Sequence, residues 1–524
     1  MMDETASILP REGIAINTLK SQGLCLPRRR LPPELNAVIL LLLGVPDILN
    51  CRRVSRTFRR LIDDTSALQY LIELYMTGAR PLPLSPTTCS KDRLRSFRSH
   101  LHIRNTLVER YISSHAIDLG FGKHWHFTRD GLVASMFQGC IKVQRLPSPT
   151  REIPCGFWEI TTGDPLVIAI DSSQDLLLTV KAVGDRMISS PFSLTSGKQH
   201  PLATSDSIDI TPPASNGAEY DLFVKGDTAI FQILHQVEMS REFMCFEHDW
   251  KSGSTGLAFV ASKVHEGLLL DLNYYMIAHY RSSEHAFVLS VVDASTDRQT
   301  DINFLLPRLS NSVDPIIADV HLSSGSCLPV IPIIKGSAFT SAQANTRDSL
   351  ITLKLMTNTG STHLIVISAW KLQQCIIQER QGMAGDCNSP STVQWYSWGP
   401  ICTTLLTDIP RSVQSIGGVQ PVDGTRLIMP DKASKRLAVY EFGRFIVRQA
   451  ERVNPSSVLG HFSFVECDSL FEDRVLTCLP YIKYVTERKD DNNMVIGMAN
   501  DYIVLIKDPE EESEDTPCGL ILSF

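Results

Sequence analysis

The feature that most constrains this chain is a change of pattern near residue 120. From there towards the C-terminus, short β-branched or aliphatic runs recur between Gly, Pro, Asp and Ser. No helical pattern is recognised between these runs, which favours antiparallel strands over alternating strand–helix units. The pattern predicts strands at Leu166–Ile170, Leu176–Val180, Thr228–Leu234, Phe243–Phe246, Tyr275–Ala278, Phe287–Val292, Leu350–Leu355, Leu364–Ile367, Leu437–Tyr440, Met494–Met498 and Tyr502–Ile506.

So many strands exceed what one β-sandwich can hold. A β-propeller accommodates them, because radially repeated four-stranded sheets protect their edges. His248–Gly253 resembles the end of a WD-type blade, in which a strand leads through Trp250 into a turn, and Val292-Asp293 resembles a second one. No clean repeat period is found. We therefore expect a propeller-like β domain over residues 116–524, with about six to eight blades if each is four-stranded.

Helical periodicity precedes this β region. It covers residues 31–78 and resumes from Lys91 to about Arg110, with Ser90 placed as a cap. The expected fold class is therefore α+β and multidomain. It comprises a flexible leader (1–27), a small three-helix domain (28–80), a linker helix (81–115) and a large all-β domain (116–524).

Charge is distributed unevenly along the 524 residues. Residues 1–110 carry a net charge of +7 and the remainder carries −14, which argues against a nucleic-acid-binding body. The longest apolar candidate, Ala37–Val45, is about half the length of a membrane span. The 13 cysteines form no C-x-x-C pair, so we expect reduced thiols and a cytoplasmic or nuclear location.

The first helix of residues 31–78 is unusually apolar. Pro32 or Pro33 can begin it, and Glu34 suits its first turn. One face carries apolar residues at i, i+3, i+4, i+7 and i+8, namely Leu35, Val38, Ile39, Leu42 and Leu43. Leu40 and Leu41 are apolar as well, and a helix that is apolar all round is buried all round. So small a domain cannot cover every face, which indicates docking on a partner.

Three further helices are expected in this stretch. Pro46 and Asp47 suit the start of a second helix. A third would place Phe58, Leu61 and Ile62 inward and Arg56, Arg59 and Arg60 outward. Ser66 can cap a fourth, which Gly78 is placed to end.

Residues 31–78 resemble an F-box. The spacing matches from Leu31-Pro32-x-Glu34-Leu35 through Ile39, Leu43, Asp47-Ile48-Leu49 and Val54-Ser55-Arg56-x-Phe58-Arg59 to Leu61-Ile62. The resemblance implies binding to a Skp-family adaptor and, through it, to a cullin–RING ubiquitin ligase. It also implies a non-catalytic subunit that needs no cofactor and brings an unknown substrate protein to the ligase. The residues it implies for adaptor contact are Leu31, Pro32, Leu35, Ile39, Leu43, Ile48, Leu49, Val54 and Phe58.

The layout is also similar to that of mushroom-type fungal F-box proteins, in which an F-box precedes a long propeller-like region. Phe157–Ile160, Asp171–Leu176 and Leu479–Tyr481 resemble stretches that recur in that group.

Several alternatives remain open at this stage. The helices could form a purely structural bundle, and the chain could be a non-ligase scaffold or a propeller enzyme. The arginines of residues 31–78 could contact nucleic acid, although a solvated face is favoured because no stacking aromatics alternate with them. His124 and His126 could bind a metal, and His248 beside Asp249 could relay protons, but structural roles are favoured. No phosphate-loop, dinucleotide, zinc-protease or nucleophile-elbow motif is present.

Overall fold

A computed structural model gives the fold of this chain. It describes residues 31–77, 80–81, 89–106, 113–116, 124–128, 131–137, 139–147, 155–184, 186–210, 218–237, 240–264, 266–271, 274–293, 302–313, 319–324, 339–340, 349–357, 361–382, 391–407, 409, 422–431, 433–434, 436–467, 470–489, 494–499, 502–507 and 519–523. The chain divides into two compact units, Met1–Leu68 and Gln69–Phe524. The expected leader at 1–27 lies outside the described residues.

Three helices lie within the first unit: α1 (Pro33–Leu41), α2 (Val45–Val54) and α3 (Arg56–Asp64). Helices α1 and α2 each have proline near their first position and an acidic residue, Glu34 or Asp47, in the first turn. The Ser55 hydroxyl caps α3 by accepting the Phe58 N–H at 3.1 Å. These local signals place all three helices where the sequence predicts them.

Two further helices follow. Helix α4 (Ser66–Thr77) begins at the predicted serine, and Gly78, the predicted stop, lies outside the described residues. Helix α5 (Ser90–Thr106) begins at Ser90, and its first turn donates the Arg93 N–H to the Cys89 carbonyl. The second unit's part of α4 packs against α5 through the buried side chains of Tyr70, Leu74, Leu94 and Phe97.

The rest of the second unit is rich in strands. They comprise β1 (Arg80–Pro81), β2 (Ser113–Ala116), β3 (His124–Phe127), β4 (Leu132–Phe137), β5 (Cys140–Arg145), β6 (Gly156–Thr161), β7 (Val167–Asp171), β8 (Leu176–Val183), β9 (Arg186–Ser193), β10 (Ile208–Ile210), β11 (Glu219–Lys225), β12 (Thr228–Val237), β13 (Ser240–Asp249), β14 (Thr255–Val264), β15 (Glu266–Asp271), β16 (Tyr274–Arg281), β17 (Ala286–Asp293), β18 (Ile302–Leu305), β19 (Asp319–Ser324), β20 (Phe339–Thr340), β21 (Leu350–Met356), β22 (Thr362–Ser368), β23 (Ser391–Val393), β24 (Thr403–Leu406), β25 (Val422–Asp423), β26 (Arg426–Asp431), β27 (Arg436–Glu441), β28 (Val458–Leu459), β29 (Ser463–Val465), β30 (Val475–Thr477), β31 (Tyr481–Lys489), β32 (Met494–Ala499), β33 (Tyr502–Lys507) and β34 (Gly519–Ser523). Every strand named from the sequence pattern falls on one of these elements.

Among the described residues, seven sheets of four or five strands follow each other along the chain. They are sheet 1 (β3-β4-β5-β6), sheet 2 (β7 to β10), sheet 3 (β11 to β14), sheet 4 (β15 to β18 plus β23), sheet 5 (β19-β21-β22-β24), sheet 6 (β25-β26-β27-β31-β28) and sheet 7 (β2-β34-β33-β32). Pairing within them is antiparallel except for β18 with β23. Two small sheets, β1-β20 and β29-β30, complete the set.

Sheet 7 combines both ends of the β region. Its strand β2 precedes sheet 1 in the chain, yet it pairs with β34 in the register Ser113↔Ser523. Strands of consecutive sheets also contact each other: β3 contacts β7, β7 contacts β11, β14 contacts β16, β15 contacts β19, β19 contacts β25 and β25 contacts β32. The seven sheets are therefore arranged in chain order, with the last one completed from the beginning.

The core of this region lies between consecutive sheets. On β7, Ile168 packs with sheet 1, whereas its neighbour Ala169 packs with sheet 3. On β12, Phe231 packs towards sheet 2 and Ile230 towards sheet 4. Because successive residues of a strand point to opposite faces, each strand contributes to two core layers.

Three helices in the β region were not expected: α6 (Ala369–Gly382), α7 (Trp395–Cys402) and α8 (Arg444–Val453). The prediction that the β region contains no helical segments was therefore wrong. Helix α7 contains Gly399 and Pro400, which disfavour a helix from sequence, and it is stabilised by burying Trp398 completely.

Candidate docking surface on the first helices

Within the first unit, the core side chains come from all three helices. Leu40 on α1, Ile48 on α2 and Ile62 on α3 are each buried. The Asp63 carboxylate accepts two hydrogen bonds from the Arg52 guanidinium, at 2.8 and 3.3 Å, and so links α3 to α2. Buried aliphatic residues and this bidentate pair together hold the three short helices in place.

The opposite side of α1 is left open to solvent. Leu35, Val38, Ile39 and Leu42 are 50%, 54%, 48% and 82% exposed, and they follow each other at i, i+3, i+4 and i+7. We call these four residues the α1 face. Monomeric proteins rarely expose contiguous apolar patches of this kind, and larger ones mark interaction sites. The apolar face identified from the helical spacing is therefore exposed, and Leu40 instead points into the core.

The structure separates the predicted adaptor contacts into three groups. Leu31, Pro32, Leu35, Ile39, Leu43 and Val54 are exposed, and Val54 reaches 76%. Leu49 and Phe58 are half-buried. Ile48 differs from the predicted contact position. Its side chain is completely buried and belongs to the core of the helices. The family spacing cannot distinguish such a core position from a contact position, since both require an apolar side chain.

Three exposed residues were missing from the predicted contact set: Val38, Leu41 and Leu42. Leu42 is the most exposed side chain of α1 and its C-cap, yet it is as apolar as its buried neighbour Leu40. Val38 and Leu42 lie on the same helical spacing as Leu35 and Ile39, whereas Leu41 does not. A contact set built from that spacing alone would have included both Val38 and Leu42.

The charged side chains of this unit also lie at its surface. Arg53, Arg56, Arg59 and Arg60 are exposed, and Asp63 lies near Arg59 as well as Arg52. Phe58, Leu61 and Ile62 are partly or fully buried, as the amphipathic spacing of α3 predicts. The surface of the unit therefore combines an apolar helix face with exposed guanidinium groups.

The other candidate sites have structural explanations. Within the described residues no group of three metal-ligating side chains is brought together. Burial lowers the pKa of His126 to about 4. The His248 imidazole lies 3.2 Å from the Ser189 hydroxyl, while Asp249 accepts N–H bonds from Lys251 and Ser252 in the predicted turn. These two residues therefore do not form a relay with each other.

One acidic group of the β region is electrostatically unusual. Asp221 lies on β11, and desolvation together with the carboxylates of Glu266 and Glu219 raises its pKa to about 7. Like charges favour the protonated form of a carboxyl group, as does a surrounding of protein atoms.

No helix in the described parts of the chain is long and apolar enough to cross a bilayer.

Comparisons with known proteins give one family match, which lies in the N-terminal part of the chain. Residues 29–69 match the family model described as F-box domain. No curated protein matches the chain. Among solved structures, the AfRom2 CNH domain is 7% identical, covers 79% of this chain and 99% of its own, and gives a TM-score of 0.34. A protein from Lactobacillus plantarum (8% identity, 71% and 90% coverage, TM-score 0.28) and oligopeptidase B from Leishmania major (6%, 88% and 60%, 0.28) are also similar. These scores are too low to assign a shared fold.

Proposed function

We propose that this chain, which is an F-box protein by the match of residues 29–69, is the substrate-recognition subunit of an SCF-type ubiquitin ligase. An F-box domain is consistent with that role. In this proposal the first helices bind a Skp-family adaptor, which connects the chain to a cullin, and the β region binds the substrate protein. The chain itself supplies no catalytic group and no cofactor.

The exposure of the α1 face carries the proposal. Fully burying one aliphatic side chain stabilises a complex by about 1.5–3 kcal/mol. Four such side chains are exposed to solvent, three of them on the nine-residue helix α1 and the fourth, Leu42, at its C-cap. A partner that covers this face gains their burial without having to reorganise the core of Leu40, Ile48 and Ile62.

The mechanism would be one of proximity. A substrate held on the β region while the helices are docked experiences a raised effective concentration of the charged ubiquitin carrier. The chemistry then belongs to other subunits. This role fits a cytoplasmic or nuclear location, which remains a prediction.

Capture of the adaptor tests the proposal. The double variant Ile39→Asp/Leu43→Asp places two carboxylates on exposed positions of the helix region. It should lose co-purification with a Skp-family adaptor, because the adaptor would have to bury unpaired charge. Both side chains are solvent-exposed, so the fold of the second unit should be unchanged by circular dichroism. Adaptor capture at the level of the parent would overturn the proposal.

A matched control lies in the other unit. Phe462 is 78% exposed, and its backbone has a positive φ that aspartate accepts more readily than phenylalanine. Phe462→Asp should therefore leave adaptor capture intact. Loss of capture in this variant as well would indicate a general effect of added charge, not a specific helix face.

We also propose that the seven sheets are the blades of a propeller. Support comes from their chain order, from the contacts between strands of consecutive sheets and from the core layers between consecutive sheets. The pairing of β2 with β34 would then join the two ends of the ring, so that the last blade has no open end.

A cross-link between the two ends tests this closure. Ser114 and Leu522 are direct partners in the β2–β34 register, so cysteines at both positions should form a disulfide under mild oxidation and raise the melting temperature. Cysteines at Ser114 and Ile521 should not cross-link, because neighbouring residues of a strand face opposite sides. Equal cross-linking of both pairs, or of neither, would contradict the closure.

A further inference from the structure

The segment between β22 and β24, two paired strands of sheet 5, reaches across to sheet 4. It begins with α6, continues through β23, which pairs in parallel with β18 of sheet 4, and ends with α7. The Arg380 guanidinium on α6 donates to Asp293 at 2.6 Å, and the Trp398 indole on α7 donates to the Leu305 carbonyl at 3.0 Å. Both helices therefore bind to sheet 4. The strand before α6 (β22) and the strand after α7 (β24) belong to sheet 5.

Two cysteine sulfurs meet where these helices pack against each other. Cys375 on α6 and Cys402, the last residue of α7, have their Sγ atoms 3.7 Å apart. A disulfide needs about 2.05 Å between sulfurs, so the two sulfurs must come about 1.7 Å closer for the bond to form. Cys402 is buried, whereas Cys375 is only half-buried. A small oxidant therefore reaches Cys375 first.

A lysine supplies positive charge beside both sulfurs. Lys371 lies one helical turn before Cys375, and its ammonium group donates to the Ile401 carbonyl at 2.7 Å. Burial lowers the pKa of Lys371, while Cys402, Cys478 and Cys375 favour its charged form. By the same attraction, a positive charge held here favours thiolate over thiol.

The two thiols differ in acidity. The hydrogen bond between the two sulfurs lowers the pKa of Cys375, with help from Lys371, although burial and Glu379 oppose this. The same hydrogen bond, together with burial, raises the pKa of Cys402. Cys375 is the more exposed of the two and is therefore placed to attack a peroxide first, with the Cys402 sulfur beside it at 3.7 Å.

We propose that Cys375 and Cys402 form a modification site for hydroperoxides and that its product is a reversible disulfide. The Cys375 thiolate attacks the peroxide, an S–O bond forms as the O–O bond breaks, and the leaving oxygen takes up a proton. The Cys402 sulfur then attacks the sulfenic acid, the S–S bond forms, and water leaves with the Cys402 proton. The sulfurs lose two electrons, and the peroxide gains them.

The test treats the reduced full-length chain with hydrogen peroxide, alkylates the remaining thiols and identifies linked peptides by mass spectrometry. The expected result is a Cys375–Cys402 peptide with a mass loss of about 2 Da, restored by dithiothreitol. Exposed Cys89 and Cys155 serve as internal controls and should remain unlinked to each other. Oxidation of Cys89 and Cys155 without a Cys375–Cys402 link would overturn the proposal, as would a Cys375–Cys478 link.

Three variants separate the roles of the residues. Cys402→Ser should leave a sulfenic acid on Cys375 that dimedone traps, whereas Cys375→Ser should prevent linkage and leave Cys402 reduced. Lys371→Met should slow peroxide consumption several-fold without changing the linked pair. Because Cys402 lies in the core, its variant is compared only if it melts like the parent, and the half-buried Cys375 variant stands as the independent test. A dimedone adduct on Cys402 in Cys375→Ser, or none on Cys375 in a folded Cys402→Ser, would contradict the assignment.

Discussion

The two units treat apolar side chains in opposite ways. In the second unit, consecutive sheets bury both faces of their strands, so that neighbours such as Ile230 and Phe231 are completely covered by different layers. In the first unit, α1 buries only Leu40 and leaves four aliphatic residues of one face in solvent. A similar apolar residue therefore stabilises the fold in one unit and is available to a partner in the other. The contrast supports the proposal that the first unit binds a partner.

The largest expected effect contrasts a core residue of the β region with an exposed residue of α1. Phe231→Ala should lower the free energy of unfolding of the second unit by about 3–5 kcal/mol, because the ring is fully buried and its loss leaves a cavity. Leu42→Ala should change stability by less than about 0.5 kcal/mol. Thermal and urea unfolding of both variants measures the difference. Similar costs would mean that Leu42 is part of a core and would remove the contrast.

A second comparison uses two ion pairs. The Glu441 carboxylate is buried, accepts from Arg426 Nε at 2.6 Å, and also accepts from the Thr425 hydroxyl and the Gly443 N–H. Glu441→Gln should cost about 3 kcal/mol, because it removes the negative charge that pairs with Arg426 in a buried site. The exposed counterpart is Asp63→Asn, which breaks the pair with Arg52 and should cost less than about 1 kcal/mol. Urea denaturation ranks the two, and the reverse order would contradict the burial described here.

The capping of α3 predicts a smaller effect. Ser55→Ala removes the hydroxyl that accepts the Phe58 N–H and should destabilise α3 by about 1 kcal/mol. Faster hydrogen exchange of the α3 amides would report this loss. Thr57→Ala, an exposed position in the first turn of the same helix, is the control and should exchange as the parent does. Unchanged exchange in Ser55→Ala would show that the cap does not hold this end of the helix.

The smallest expected effect depends on pH. The pKa of Asp221 is raised from its ordinary value of 3.8 to about 7. The stability contributed by its protonated form is therefore fully present below pH 3.8 and lost as the pH rises through about 7. Asp221→Asn should be more stable than the parent at pH 8 and equal to it at pH 4. The difference at pH 8 should be less than about 1 kcal/mol, because the Asp221 side chain keeps enough contact with solvent to screen its neighbours in spite of the partial desolvation. Melting temperatures measured across this pH range check the prediction. If Asp206→Asn changed them in the same way as Asp221→Asn, this origin of the pH dependence would be refuted.

Much of this fold follows from short-range sequence signals. Prolines at the starts of α1 and α2, Ser55 before α3 and the β-branched runs of the second unit each act over a few residues. Helix α7 could not be predicted in this way, since Gly399 and Pro400 disfavour it and burial of Trp398 among distant strands stabilises it. The pairing of β2 with β34 joins segments some four hundred residues apart, and no local pattern encodes that distance.

The docking surface, like the fold, could be predicted from the sequence only in part. Helical spacing identifies the apolar positions of α1 and cannot say which side the other helices will cover. Leu40 and Leu42 are the same residue type two positions apart, yet one is 2% exposed and the other 82%. Only the packing of α1 against its neighbours decides between them, as it does for the buried Ile48.

Calorimetric titration of the purified full-length chain with a purified Skp-family adaptor tests the central claim most directly. Covering the open side of α1 should give saturable one-to-one binding with a negative heat-capacity change, the mark of apolar surface leaving water. Both the heat and its temperature dependence should vanish in Ile39→Asp/Leu43→Asp. Absence of binding by the parent, or binding of equal strength and heat capacity by the double variant, would contradict it.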